Sequence, residues 1–333
     1  MLVKKAIPFS RLRYWMYGFS IAIIVVVWVG TFLQGGFNLG IDFKPGLSET
    51  VQLTSTTATP TVESVRKAIK DYEDNLKSKD AKYEAHVFTV QPIGADAEHK
   101  FQLRAVATQD ESKIANLQEV ISGKALAALE GVYGTGSVKV LQTEFIGPSL
   151  SSELVVQTTW IAVAAVLVIL MYIWFRFKFA YALAAIIALI HDPIFVLGLI
   201  GTIQMEVTTA TIAVILTIIG YSLNDTIVVF DRIRENLRLH GDMNMYDLID
   251  LAITQTLSRT LVSSLTVILA MVAVFLFTQG SIRDFAEALI VGVIIGTYSS
   301  IFVAAPLMVA FAGGKPPKEK ERKVLGDDEA VQA

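Results

Sequence analysis

The 333-residue sequence contains no cysteine, which excludes disulfides, thiolate-bound zinc, iron–sulfur clusters and thiol nucleophiles. Charge is also scarce. Only 18% of the residues are Asp, Glu, Lys or Arg, against about 25% in an ordinary soluble domain. This composition argues against a wholly water-soluble enzyme, and a net charge of −3 is too small to suggest nucleic-acid binding. What the sequence has in excess is apolar: 53% of the residues are hydrophobic.

The apolar residues fall in long runs. Tyr14 to Leu33 is twenty residues without a charge, enough at 1.5 Å per residue to cross about 30 Å of hydrocarbon. It is too long for a signal-peptide core and lacks a small-residue cleavage site, so it reads as a retained anchor. Five more runs follow, near 154–175, 179–203, 207–230, 260–278 and 285–311. The chain thus divides into residues 1–33 with the first span, a water-soluble insert at 34–153, a five-helix bundle at 154–311 and a charged tail at 312–333 that is expected to be disordered. Fourteen Lys and Arg flank the spans on one side and a single one, Arg283, lies in the short loops of the other. The positive-inside rule then places both termini in the cytoplasm and the insert outside.

The insert carries twelve basic and sixteen acidic residues and alternates like a folded domain. Strands are expected at 49–53, 83–90, 101–106 and 137–145, with a turn at 92–99. Helices are expected from Thr59-Pro60 to Lys77 and from Asp110-Glu111 onward. The order β-α-β-β-α-β is that of a ferredoxin-like, split βαβ unit. His86 and His99 stand alone near strand ends and no catalytic set surrounds them, so a binding or mechanical role is expected. Between the fourth and fifth spans, Met245, Leu248, Ile249, Ala252, Ile253 and Leu257 recur with helical spacing. This predicts a separate interfacial helix at about 243–258, with Asp247 and Asp250 on its wet face.

Ionisable residues inside the spans are costly and point to function. Asp225 lies in Gly220-Tyr-Ser-Leu-Asn-Asp-Thr226, Arg259 opens the fifth span, and His191-Asp192-Pro193 lies in the third. Counting along the helices puts Asp225 about 27 Å and Arg259 about 28 Å from the outer ends of their spans, a depth at which they face each other. Asp192 is shallower. Desolvation favours a protonated carboxyl and a nearby guanidinium favours an ionised one, so a contact that alternates would load and release a proton. Ser222, Asn224, Thr226 and Ser263 supply polar support. The other reading of the same residues is a static ion pair that fastens two helices. Gly292-Val-Ile-Ile-Gly296 predicts a close helix crossing without naming its partner.

With one span, an exported insert and five further spans, the run Ile219 to Asn236 (IGYSLNDTIVVFDRIREN) resembles the SecF family, the smaller component of the SecDF protein-export complex in the RND superfamily. Gly40-Ile-Asp-Phe43, Ile146-Gly-Pro148, His191-Asp192 and Leu-Ser-Arg259-Thr support the resemblance, which extends from about Tyr14 to Phe311. It implies half of an RND-type transporter in the bacterial cytoplasmic (inner) membrane, working with SecD and the SecYEG channel on unfolded exported polypeptides. It also implies that the proton motive force drives the late stage of translocation, with Asp225 and Arg259 as the essential intramembrane pair. No cofactor, metal or covalent catalysis is expected. The coupling ion is H⁺, and Na⁺ stays open beside it. Two departures from the family pattern, Lys44-Pro45 and Ser151, fall at the joints between insert and membrane. The competing readings are a stand-alone RND-type exporter of small molecules or lipids acting as a homodimer, and an intramembrane aspartyl protease using Asp192 and Asp225, which lacks that class's Gly-x-Gly-Asp motif.

Overall fold

The computed structural model describes residues 6–54, 59–79, 88–93, 98–106, 117–240 and 242–313. The expected tail beyond 313, the strand segment at 83–87 with His86, and the helix start at Asp110-Glu111 lie outside the described residues. Among the described residues six helices are long and apolar enough to cross a membrane.

The inserted domain begins at β1 (Gly46–Leu53) and continues through α2 (Val62–Lys79), β2 (Phe88–Ile93), β3 (Lys100–Val106), α3 (Leu117–Tyr133) and β4 (Val138–Ile146). Its sheet is antiparallel throughout, in the order β2-β3-β1-β4. This is the split βαβ arrangement. Period-two alternation on β1 and β3 turns Val51, Leu53, Phe101 and Leu103 to one face, where Val65, Ile69, Ala125 and Leu129 of the two helices cover them. The opposite face is polar. Helix α2 starts later than Thr59-Pro60 foretold, because Thr61 and Ser64 cap each other reciprocally: Ser64 N donates to Thr61 Oγ1 at 3.2 Å and Thr61 N to Ser64 Oγ at 2.9 Å. Pro92 lies inside β2 rather than in a turn, as an edge strand allows.

Gly46 is fixed by close approach. A Cβ built there would lie 2.5 Å from the Ala105 carbonyl oxygen, which is backbone of the neighbouring strand. Gly46→Ala is expected to lower the domain's stability by about 1–3 kcal/mol through overpacking. Limited proteolysis of the full chain across a urea series would show this as earlier cleavage within the insert.

The bundle comprises α1 (Arg13–Leu33), α4 (Pro148–Arg176), α5 (Phe179–Thr202), α6 (Thr209–Leu239), α7 (Met245–Phe277), α8 (Ser281–Ser299), a π-helical turn at Ser300–Ala304 and α9 (Ala305–Phe311). Small residues set the contacts. Gly198 and Gly201 of α5 sit so close to Val27, Trp28 and Thr31 of α1 that a Cβ would meet them at 2.4–3.0 Å. The same holds for the α6–α8 crossing, where Gly292 abuts Ile218 and Gly296 abuts Ser222, which names the partner of the Gly-xxx-Gly motif. Ser151, at the second departure from the family pattern, is buried in the first turn of α4.

The interfacial helix expected at 243–258 is not a separate element. Residues 245–277 form one continuous helix, and Met245, Leu248, Ile249, Ala252 and Ile253 are buried in the main bundle core. Their amphipathic spacing therefore reflects packing against neighbouring helices rather than a membrane surface. Asp250 is likewise not on a wet face. It is buried and accepts hydrogen bonds from Ser10 N and Ser10 Oγ, both at 2.8 Å, which pins the 3₁₀ turn Phe9–Leu12 that precedes α1. The charged run 231–236 is also structural: Asp231 pairs with Arg176, and Arg232 and Asn236 both donate to Gln255 Oε1, at 2.6 and 2.9 Å.

A linker joins the two bodies by backbone and capping bonds. Gly40 N donates to Val207 O at 2.9 Å and Val207 N to Asn38 O at 2.8 Å. Asp42 Oδ2 accepts from both Thr209 N and Thr209 Oγ1 at 2.8 Å, at the start of α6. These stitches lie ahead of Lys44-Pro45, so that departure leaves the attachment to α6 in place.

Candidate intramembrane polar site

Asp192 on α5 is 0% exposed, within an otherwise largely apolar helix. A carboxyl in that position needs partners. It has three. His191 Nδ1 lies 2.8 Å from Oδ1, while Ser222 Oγ of α6 and Ser299 Oγ of α8 donate to Oδ2 at 2.5 and 2.9 Å. One carboxyl therefore ties three helices together. Pro193 follows within an unbroken helix, so it neither ends α5 nor turns Asp192 away from its partners.

Asp225 is 7% exposed and lies three residues after Ser222, about 4.5 Å further along α6. Asn224, Ser264 of α7 and Thr297 of α8 are the polar groups beside its carboxyl, and the Arg259 guanidinium acts on it through space. Ser264 Oγ and Thr297 Oγ1 are themselves 2.7 Å apart. The two carboxyls are thus staggered by one turn, each with its own hydroxyls. Among the described residues no hydrogen bond joins them, so a proton-sharing dyad of the protease type is not formed.

The expected close contact between Asp225 and Arg259 is not made in this structure. Arg259 lies on the exposed stripe of α7 with Leu261, Val262, Leu265 and Leu269, and among the described residues no ion pair links it to Asp225. Ser222 is buried in the site, and Asn224, although exposed, stands beside the Asp225 carboxyl. Thr226 is buried with its hydroxyl unpartnered among the described residues, and Ser263 Oγ is turned back to the Thr260 carbonyl at 2.9 Å. Ser263 therefore does not join the carboxyls.

The sequence reading missed Ser299, Thr297 and Tyr298. The Tyr298 ring stacks on His191 at a centroid distance of 6.3 Å, and its hydroxyl lies 2.9 Å from Ser20 Oγ and donates to Met16 O at 2.8 Å. A visible signal existed in the polar run Thr-Tyr-Ser-Ser at 297–300, directly after Gly296 in an apolar helix. The π-helical turn begins at Ser300, six residues before Pro306, and such turns concentrate at functional sites.

Six apolar helices in a one-plus-five arrangement, an α+β domain inserted after the first, and a buried carboxyl cluster at a three-helix junction define a polytopic membrane transport protein. Comparison with known proteins narrows the class. Residues 126–313 match the family described as protein export membrane protein SecD/SecF, C-terminal. The chain is 33% identical to the protein translocase subunit SecF of Borreliella burgdorferi over 92% of its own length and 98% of that protein's, and 36% identical to SecF of Rhodobacter capsulatus over 96% and 93%. It is 34% identical to the protein translocase subunit SecDF of Brucella abortus over 98% of its length, where it spans 40% of the longer protein. The crystal structure of SecDF from Thermus thermophilus, a translocon-associated membrane protein, superposes with a TM-score of 0.72 at 30% identity, covering 94% of this chain and 40% of that one. The chain belongs to the SecD/SecF family of protein export membrane proteins and has a SecF-like role in protein export.

Proposed function

We propose that the chain couples an ion gradient to the late stage of protein translocation, as the SecF half of a SecD–SecF pair in the bacterial cytoplasmic membrane. Asp225 takes up and releases the ion, Arg259 answers its charge, and the Asp192 cluster holds the helices whose shift alternates the two states. The observation that carries this reading is the pair of carboxyls, 0% and 7% exposed, one turn apart within membrane-length helices. Ionisable groups are retained at such depth at a cost that a purely structural fastening does not need. The distribution of Lys and Arg supports cytoplasmic termini and an inserted domain on the far side, where the emerging unfolded polypeptide leaves the SecYEG channel.

A second half is implied by what this chain leaves open. Trp160, Ile161, Leu167 and Val168 of α4 and the α7 stripe are exposed, and β4 is an edge strand with Val140 and Leu141 uncovered. A guanidinium facing hydrocarbon, as Arg259 would on an isolated chain, needs polar cover. SecDF relatives that carry the match within 40% of a longer chain support SecD as the source of that cover.

The test uses sealed vesicles holding the chain with SecD and SecYEG, supplied with a pH gradient, an electrical potential or a Na⁺ gradient separately. Export that follows the proton gradient and is indifferent to Na⁺ supports H⁺ as the coupling ion. Export that follows Na⁺ alone replaces the ion, and export indifferent to all three rejects coupling.

A further inference from the structure

The polar face of the inserted sheet rests on the bundle. On β3, Phe101, Leu103 and Ala105 enter the domain's cores, so Gln102 and Arg104 point the other way. A Cβ at Gly280, in the turn between α7 and α8, would lie 3.3 Å from Gln91 and 3.6 Å from Gln102. Arg104 is the centre of this seam. Its Nη1 ion-pairs with Glu206 in the loop before α6, and its Nη2 donates to Ser281 Oγ at 2.9 Å and to Gln102 Oε1 at 3.1 Å. The Arg104 and Glu206 side chains are only 12% and 9% exposed. Among the described residues no other ion pair joins the sheet to the bundle.

We propose that Arg104 is a positioning residue that transmits movement of the inserted domain to the intramembrane carboxyl site. The proposal rests on the ion-coupling reading above and says where domain and membrane exchange force. Glu206 stands three residues before α6, and Ser281 is the first residue of α8. The same two helices cross at Ile218 against Gly292 and Ser222 against Gly296, and they supply Ser222 and Ser299 to Asp192. Arg104 thus bridges the domain-side ends of the two helices whose crossing holds the carboxyl. A tilt of the sheet must separate the pair or move the helices with it. Separation leaves a guanidinium and a carboxylate, each largely shielded from solvent, without a partner, which is costly, so the load passes to the helices. The linker adds a tie to α6 through Asp42 and Thr209, whereas the only side-chain bond from the sheet to α8 found among the described residues is the one from Arg104 to Ser281.

The test is made on vesicles holding the full chain with its translocation partners, reading potential-driven export, proton uptake by a pH-sensitive dye, and the amount of chain in the membrane. Arg104→Gln and Glu206→Gln are each expected to lower export about tenfold while proton uptake stays within about twofold, and the exchange Arg104→Glu with Glu206→Arg is expected to restore export to within about threefold. Export at the unmodified rate in Arg104→Gln overturns the proposal. So does a loss of proton uptake that matches the loss of export, or a loss that the exchange does not relieve. Ser281→Ala leaves the ion pair intact and cuts only the tie to α8. It is expected to lower export about threefold, and it keeps the question answerable if the charge variants fail to accumulate, since unchanged export in Ser281→Ala also overturns the proposal. Failure of the ion-coupling reading looks different: Asp225→Asn then exports normally whatever the Arg104 variants do.

Discussion

Asp225→Asn is expected to remove potential-driven export while leaving any potential-independent component intact. Asparagine keeps the shape and hydrogen-bonding capacity of the carboxyl, so Ser264 and Thr297 retain a partner and the α6–α7–α8 junction should assemble. What it loses is the charge. One proton crossing 100 mV delivers about 2.3 kcal/mol, or about fifty-fold in a two-state equilibrium, and that is the size of the expected defect. The measurement is completion of export in sealed vesicles with and without an imposed potential, at equal amounts of chain. A normal rate would reduce Asp225 to a fastening residue. Arg259→Lys refines the same experiment, because lysine keeps the charge but loses the planar fork; an intermediate rate means that orientation matters as well as charge.

The second large effect is steric. A Cβ at Gly296 would lie 3.1 Å from Ser222 Cβ and 3.3 Å from Ser222 Cα, so Gly296→Val pushes against the backbone of α6 and cannot be relieved by a rotamer change. The crossing must open, and Ser222 must leave Asp192. Gly296→Val is therefore expected to cost about 3 kcal/mol and to lower the amount of folded chain in the membrane several-fold. Gly292 is instructive beside it. A Cβ there meets side-chain atoms of Ile218 alone, Cδ1 at 2.1, Cγ1 at 2.3 and Cγ2 at 3.2 Å, and no backbone. Gly292→Ala should then be substantially repaired by Ile218→Ala, which removes all of those atoms, whereas Gly296→Val has no comparable remedy. Membrane abundance and resistance to proteolysis of the three variants distinguish the two positions.

The contrast between these glycines shows what could be read before the structure was known. A Gly-xxx-Gly spacing announces close packing, yet the partner helix and the unequal roles of the two glycines depend on which residues of α6 arrive opposite them. The membrane spans were legible because length and the absence of charge suffice to specify them. The order of the inserted domain was legible because turns and alternation are local. The segment at 243–258 was misread because amphipathic spacing is the same whether the apolar face meets lipid or protein, and its continuity with α7 is a tertiary fact. Asp192 and Asp225 stood out as charges in apolar runs. Ser299 did not, because a serine in a membrane helix is inexpensive and common, and only the fold brings it to the carboxyl. Counting along the helix speaks only to the depth of Arg259 and carries no information about azimuth, and the helix turns that side chain outward.

The side-chain bonds of the Arg104 seam between sheet and bundle are made by arginine, glutamate, serine and glutamine. Hydration of apolar surface is what gives a separation its heat-capacity change, and polar surface contributes with the opposite sign. Parting along such contacts should carry a small heat-capacity increment, so the free energy between the closed and open arrangements should run close to linear with temperature. A greasy boundary of the same area would give a visibly curved dependence.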